Sequence, residues 1–552
     1  MSALTVALAL GLAAAAPPQA SALPDPNAGA FTRPPPNRLS TAQAIAIAAR
    51  TGAVRRAVQR YGELKGYVCA PETPNCVASD CFWPSCRDEW QLVYYQGTKS
   101  RAEVRIRDRT EAVTAAWEGV QLDWQIARGV PGFLGGHVNA LWVWLPLCLL
   151  FVAPFVDFRR PLRLLHLDLL ALLAFSVSQV FFNRGDIALS VPLVYPVLGY
   201  LLVRLLIAGV RPRRGSGALI PHARPLWLAI ALVCLVCFRV GLNLADSTIS
   251  DVGGKTAIAA TRLAQGHSPY ARGDAYGPVT YLAYASFAAV WPSSTQVTAG
   301  RGRFAGLSFS EPQAPAAHAA AIFFDLLTAL GLLLLGRRMR GGREGRLLGL
   351  GLAYAWLSYP YALYALSSNT NDALISCLLL LSLLTFARPA FRLAGIVLAT
   401  AAKLAPGALI PLFALADGKR QFKRLLPAAA ALALMGALAL LLAPHASLAK
   451  TLDGALFQVK RTSPFSVWGQ FSWLTWPHAA WEAGVIALAV LVAFVPRKKS
   501  ATQAAALAAA VLIAAEMALP YWSYFYIVWF APYALVALFS DHARGESAPV
   551  VR

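Results

Sequence analysis

Lys403 stands in the middle of a long apolar stretch, Leu393 to Leu415, within the run Ala401-Ala402-Lys403-Leu404-Ala405-Pro406. A cation at membrane depth is costly and is generally retained for function. It can meet an anionic headgroup or a phosphate inside a cavity, or lay its apolar stem along a half-helix so that the ammonium reaches water. Asp251 follows the apolar run 225–243 by about two helical turns and precedes a helical stretch, Val252 to Leu263. A carboxylate there serves either as a helix N-cap or as a general base facing a lipid-linked substrate, and both readings stay open. Asn369 and Asn371 sit in a polar turn, 367–372, where helix capping is the alternative to ligand binding. The segment 444–477 carries Lys450, Lys460, Arg461, Trp468, Gln470, Trp473 and Trp476. Cations beside indoles suit a phosphate and a sugar, and equally a lipid-headgroup belt. Asp325 lies inside the apolar run 317–336, where pairing with a neighbouring helix explains it better than catalysis.

The elements that must hold these residues are set by composition. Of 552 residues 57% are hydrophobic and only 14% charged, against roughly 25% charged in a soluble domain. That excludes a soluble enzyme and points to a bilayer. The net charge of +22 does not indicate a nucleic-acid binder, because most Arg and Lys fall in short clusters between apolar runs. Apolar segments occur at 138–157, 165–182, 188–208, 225–243, 317–336, 347–366, 372–387, 425–443, 478–495, 501–518 and 521–540. Basic clusters at 159–163, 211–214, 337–346, 388–392 and 497–499 follow alternate segments, which predicts one topology with an extracytoplasmic N-terminal region and a cytoplasmic C-terminus. Tyr276 to Trp291 is too short to fit that alternation and reads as an interfacial or re-entrant segment anchored by Tyr and Trp. Leu393 to Leu415 has basic residues at both ends, so one span cannot satisfy it; two half-helices turning near Lys403 and Pro406 can.

Residues 1–22 read as a signal peptide, with Ala20-Ser21-Ala22 as the cleavage site, or as an N-terminal anchor. Residues 23–137 then form an extracytoplasmic module: helical spacing from Thr41 to Tyr61, and strand-like alternation at Gln91–Tyr95 and Ala102–Arg107. Cys69, Cys76, Cys81 and Cys86 lie between them, and an oxidising compartment favours two disulfides among three possible pairings. A zinc site is the less favoured alternative, since the cluster has no C-x-x-C pair and no nearby His. Cys148, Cys234, Cys237 and Cys377 fall in apolar runs and read as inert core residues.

Several ordered motifs resemble glycosyltransferase family 87. Asp251, the helix after it and Gly266-His-Ser-Pro-Tyr270 are similar to the family's "D, then helix, then G-x-x-x-Y" stretch. Tyr276-Gly277-Pro278 resembles its Y-P-P element, with Gly277 in place of the first proline. Asn369-Thr-Asn371 stands where members carry G-Q-x-N, and Ala401 to Pro406 resembles an A-x-K-x-x-P hairpin. Arg461-Thr-Ser-Pro-Phe-Ser-Val-Trp-Gly469 is similar to a late outer loop of related actinobacterial membrane proteins. Some relatives place a His where Tyr521-Trp522-Ser523-Tyr524 stands here.

The resemblance covers roughly 225–540 and implies a GT-C fold there; with the apolar segments it gives a mostly α, polytopic transmembrane bundle of about 11 spans, a re-entrant hairpin and the small α+β N-terminal module. Together these readings divide the chain into a signal or anchor (1–22), the module (23–137), three additional transmembrane helices (138–224), a catalytic domain (225–540) and a cytoplasmic tail (541–552). The resemblance implies an inverting, plasma-membrane enzyme whose site faces outward. A mannose- or arabinose-like sugar would pass from a polyprenyl phosphate to a cell-envelope glycolipid or glycan acceptor. Asp251 would be the general base, Lys403 and Arg461 would hold the donor phosphate, and Tyr276, Asn369, Asn371, Trp468 and Gln470 would contact substrate. No nucleotide site is implied, for there is neither a Rossmann glycine pattern nor a P-loop. A divalent metal, used by some enzymes of this fold, is disfavoured by the absence of a second acid next to Asp251. The competing classes are a lipid or lipid-linked-sugar transporter, which would be expected to show internal repeats, and a non-catalytic anchor displaying the N-terminal module.

Overall fold

A computed structural model of the chain describes residues 38–69, 71, 89–97, 99–129, 134–212, 224–270, 276–299, 308–418, 426–442 and 463–540. The signal segment, Cys76, Cys81, Cys86, Lys450, Lys460, Arg461 and the tail 541–552 lie outside these residues, and so do the expected disulfides. The chain divides into two units, Met1–Leu122 and Asp123–Arg552.

In the first unit the helical stretch expected from Thr41 to Tyr61 is two helices, α1 (Thr41–Ala49) and α2 (Gly52–Tyr61). The break falls at Thr51, whose hydroxyl accepts the Val54 N–H and starts α2, while Ser40 and Gln43 close a reciprocal capping box on α1. Four antiparallel strands follow in sequential order, β1 (Lys65–Cys69), β2 (Glu89–Gln96), β3 (Lys99–Arg107) and β4 (Val113–Glu118). Alternation along β2 and β3 turns Trp90, Leu92, Ala102, Val104 and Ile106 onto Ala44, Ala48, Val54 and Ala57 of the helices. The Asp108 carboxylate ties the chain start to this sheet. It accepts from the Arg38 N–H (2.7 Å), the Leu39 N–H (3.0 Å) and the Trp90 indole (2.7 Å).

The second unit is helical: α3 (Leu141–Val152), α4 (Leu164–Phe182), α5 (Ile187–Val210), α6 (Pro225–Ala245), α7 (Asp251–Ala264), α8 (Pro278–Val290), α9 (Pro315–Met339), α10 (Gly342–Ser358), α11 (Pro360–Ser367), α12 (Asp372–Leu384), α13 (Pro389–Ala402), α14 (Leu426–Leu442), α15 (Thr475–Phe494), α16 (Ala501–Ala518) and α17 (Ile527–Ser540). Among the described residues six segments are long and apolar enough to cross a bilayer: Leu164–Phe182, Ile187–Val210, Pro225–Ala245, Pro315–Met339, Ser472–Phe494 and Ala501–Ala518. Other apolar runs are cut shorter than the sequence suggests. The run 347–366 breaks at Tyr359-Pro360, since proline disfavours helix at the residue before it. The run 393–415 breaks at Lys403, as expected for a hairpin, and continues as a 3-10 turn, Ala405–Leu409, and a single helical turn, Ile410–Ala414.

Burial separates central from peripheral helices. In α16, 72% of the apolar window is buried inside the protein, against 17% in the window containing α15, which places α15 at the periphery of the described helices. Cys234 and Cys237 are exposed on α6, so they are not core residues as composition suggests; they occupy a face that the apolar lipid phase can cover. Asp325 has its partner on the neighbouring helix. Arg239 of α6 donates to both carboxylate oxygens (2.6 and 3.0 Å), Trp356 Nε1 adds a third bond (3.0 Å), and Arg239 also reaches the Leu357 carbonyl. A second buried pair, Arg204 with Asp168, joins α5 to α4 and is completed by the Tyr200 hydroxyl.

Candidate functional site

The site is built where helix ends meet. α13 stops at Lys403, whose backbone turns extended (φ −143°, ψ 139°) after its N–H closes the last helical bond to Ala399. The side chain then leaves the helix axis, and its ammonium donates to Asp372 Oδ1 at 2.5 Å. Asp372 opens α12 and is almost wholly buried, with 2% of its side chain exposed against 12% for Lys403. The same carboxylate oxygen accepts the Trp529 indole N–H of α17 at 2.8 Å. The ammonium lies 5.1 Å from the Trp529 ring centre and 5.6 Å from that of Tyr276. These distances allow cation–π attraction, strengthened where water is excluded. Tyr526 stacks on Trp529 at 4.4 Å and completes the aromatic wall.

Two glycines set this geometry by close approach. A Cβ at Gly277 would stand 1.8 Å from the Ala401 carbonyl oxygen, so only glycine lets the start of α8 dock on the end of α13. The Gly277 N–H and the Thr280 hydroxyl then bond the Ala402 carbonyl at 3.1 and 3.0 Å, which holds Tyr276 against Lys403. A Cβ at Gly253 would likewise meet the Asn369 carbonyl at 1.8 Å. The α7 start is therefore pressed onto the 367–371 turn, with the Thr248 and Ser250 N–H groups bonding the Ser367 and Ser368 carbonyls (both 2.9 Å).

Asp251 occupies the first position of α7. The N-cap is Ser250, whose hydroxyl accepts the Gly253 N–H, so capping does not account for Asp251. Its side chain is 76% exposed and faces Lys255 at 4.0 Å, a surface pair of little energetic weight.

The other sequence candidates have different surroundings. Asn369 adopts the left-handed region (φ 46°), where an Asn side chain is tolerated, and its amide is fully engaged with Asn243, Ser247 and Thr248. Asn371 donates to Thr256 Oγ1 (3.0 Å), whereas its side-chain oxygen is buried without a hydrogen-bond partner among the described residues. Trp468 donates to the Met517 carbonyl (2.7 Å) and stacks on His478; Gln470 bonds the Ile187 and Pro464 carbonyls. Both bind the late loop to the chain with their polar atoms. Among the described residues no three His, Cys, Asp or Glu side chains gather as a metal site would require.

Sequence reasoning placed Asp372 only at the end of the polar turn 367–372 and passed over Trp529 and Glu516. Glu516 carried a usable signal: it is the one acid in the apolar helix α16, subject to the same cost argument as Lys403.

Six long apolar helices among the described residues mark a multi-pass membrane protein, and a cation, a carboxylate and an indole gather where its helix ends meet. Residues 275–520, a little under half of the chain, match the family model of glycosyltransferase family 87, a likeness that supports a membrane glycosyltransferase of that kind. The match includes Tyr276, Asn369, Asn371, Asp372, Lys403, Trp468, Gln470 and Glu516; Asp251 lies before it, Trp522 and Trp529 after it. No curated protein matches the chain significantly.

Proposed function

We propose that this chain transfers a mannose- or arabinose-like sugar from a polyprenyl-phosphate donor to a cell-envelope glycolipid or glycan hydroxyl at the outer membrane face. Asp251 takes the acceptor proton as general base. The acceptor oxygen attacks the anomeric carbon from the side opposite the phosphate, the glycosidic C–O bond to phosphate breaks with inversion, and polyprenyl phosphate leaves with the electron pair. Lys403 balances the charge on the departing oxygen; a fixed cation in a water-poor site stabilises such charge far more than water does. Arg461 is its expected helper. Asn369 serves by shaping the turn, and Asn371 by offering its unpaired carbonyl oxygen to a donor-sugar hydroxyl. Trp468 and Gln470 hold the late loop and offer ring and stem to the substrate.

The observation that carries this reading is the Lys403 ammonium, seated at a helix break beside Asp372, Tyr276 and Trp529. The test uses membranes containing the full chain, a labelled polyprenyl-phosphate mannose or arabinose donor, and crude envelope acceptor. Wild type should transfer label. Asp251→Asn should lower transfer by about 100-fold or more, the scale of a lost general base, with an unchanged melting profile. Donor-independent transfer, or full activity in Asp251→Asn, would refute the mechanism.

A further inference from the structure

Lys403, Asp372 and Trp529 close a triangle whose members are held very differently. The ammonium and the indole N–H both donate to Asp372 Oδ1, at 2.5 and 2.8 Å, and the ammonium stands over the indole ring, 5.1 Å from its centre. Asp372 and Trp529 are placed by helix packing. The Ser376 hydroxyl, one turn along α12 from Asp372, donates to the carbonyl of Val528, the neighbour of Trp529, at 2.7 Å. One turn further along α17, the Tyr533 hydroxyl bonds the Leu379 carbonyl (2.7 Å) and the Ser382 hydroxyl (2.6 Å). Both residues are closed off, Asp372 at 1% and Trp529 at 4% exposure. Lys403 is held less firmly. Its flexible stem starts from extended backbone beyond the end of α13, and its side chain keeps 12% exposure. Among the described residues its three N–H donors have a single hydrogen bond, the one to Asp372.

We infer that Trp529 is a positioning residue for donor binding: its indole N–H keeps the Asp372 carboxylate in place and partly compensated while the Lys403 ammonium turns from that carboxylate to the phosphate of the lipid donor. This rests on the donor reading proposed above and adds how the ammonium is released. The difficulty is one of charge. An ammonium engaged with a buried carboxylate reaches a phosphate only by loosening that bond. The carboxylate it leaves is then uncompensated in a water-poor site and repels the arriving anion. A hydrogen bond from a donor that stays fixed lowers this cost, because bonds to ionised groups are the strong ones. An indole suits the task. It donates and does not accept, and it carries no charge that would compete for the phosphate. Its ring face attracts the ammonium and keeps it close during the exchange, with the Tyr276 ring at 5.6 Å as a second such face.

The experiment measures the affinity of polyprenyl phosphate for the purified full chain in lipid nanodiscs, in wild type, Trp529→Phe, Asp372→Asn and the double variant. Trp529→Phe keeps an aromatic ring and loses the N–H, and should weaken binding about tenfold, the worth of one hydrogen bond to a charged group. Asp372→Asn removes the charge that the indole compensates, so adding Trp529→Phe to it should change affinity by less than about twofold. The benzothiophene analogue of tryptophan, incorporated at position 529, keeps the fused ring and drops only the N–H. It should reproduce the loss, and it supplies the reading if Trp529→Phe does not fold. A loss of packing alone would weaken binding equally in both Asp372 backgrounds. That result, or wild-type affinity in the analogue, would overturn the assignment of Trp529 and leave the donor reading intact. Failure of wild type to bind polyprenyl phosphate would overturn the donor reading, and this inference with it.

Discussion

The ion pair between Lys403 and Asp372 has a cost that fixes what its mutants should do. Both charges leave water, and their attraction offsets that loss only while both are present. Asp372→Ala strands the ammonium among Trp529, Tyr276 and apolar helix ends, and should destabilise the protein by about 3–5 kcal/mol. Lys403→Met combined with Asp372→Leu removes both charges and should recover much of that loss, because apolar residues of similar volume often replace a buried pair at little cost. Thermal unfolding in detergent measures the stability of each. If Lys403 serves the leaving phosphate, the stable double variant remains inactive in the transfer assay. A double variant that is both stable and active would reduce the pair to a structural role.

At the scale of elements, the site depends on backbone contacts that tolerate no side chain. Gly277→Ala and Gly253→Ala each place a methyl group where a carbonyl oxygen now stands, so the α8 start must leave α13, or the α7 start must leave the 367–371 turn. Each should cost about 1–3 kcal/mol as an overpacking change and lower transfer more than it lowers the amount of folded protein. Quantitative expression together with activity per folded molecule separates these effects. The Arg239–Asp325 pair joins α6 to α9 within the bundle and touches none of the site residues named above. Asp325→Ala should therefore reduce folded protein, by about 3–5 kcal/mol of stability, with no change in donor affinity for the fraction that folds.

At the scale of the whole chain, the N-terminal unit responds to acid through Asp108. Burial raises its pKa, but the Arg38 N–H, the Trp90 indole, the Leu39 N–H and the Arg38 charge outweigh burial, and the net result is a carboxyl below its usual value. A depressed folded-state pKa means that the stabilisation is complete above the unfolded value of about 3.9 and is lost as pH falls through the lower, folded value. Hydrogen exchange of residues 38–69 and 89–118 in the full chain should accelerate below about pH 4, and Asp108→Asn should exchange faster at neutral pH with a flatter acid response. How far the architecture was legible depends on the range of the forces involved. Lys403 inside an apolar run, the helix break after it and the two short strands of the module are consequences of residue type and near-neighbour order, since membrane insertion and β-alternation act over a few residues. Asp251 at the start of a helix was legible for the same reason, but whether it or Ser250 caps that helix required the coordinates. The amino-acid order by itself determined that this chain lives in a bilayer, where its charged residues are confined, and the family to which residues 275–520 are similar. Only the tertiary structure decided that Asp372, 31 residues from Lys403, is its partner, and that Trp529 shares that carboxylate. Such pairings arise when helix ends from distant parts of the chain pack together, and nothing in local periodicity encodes which ends will meet.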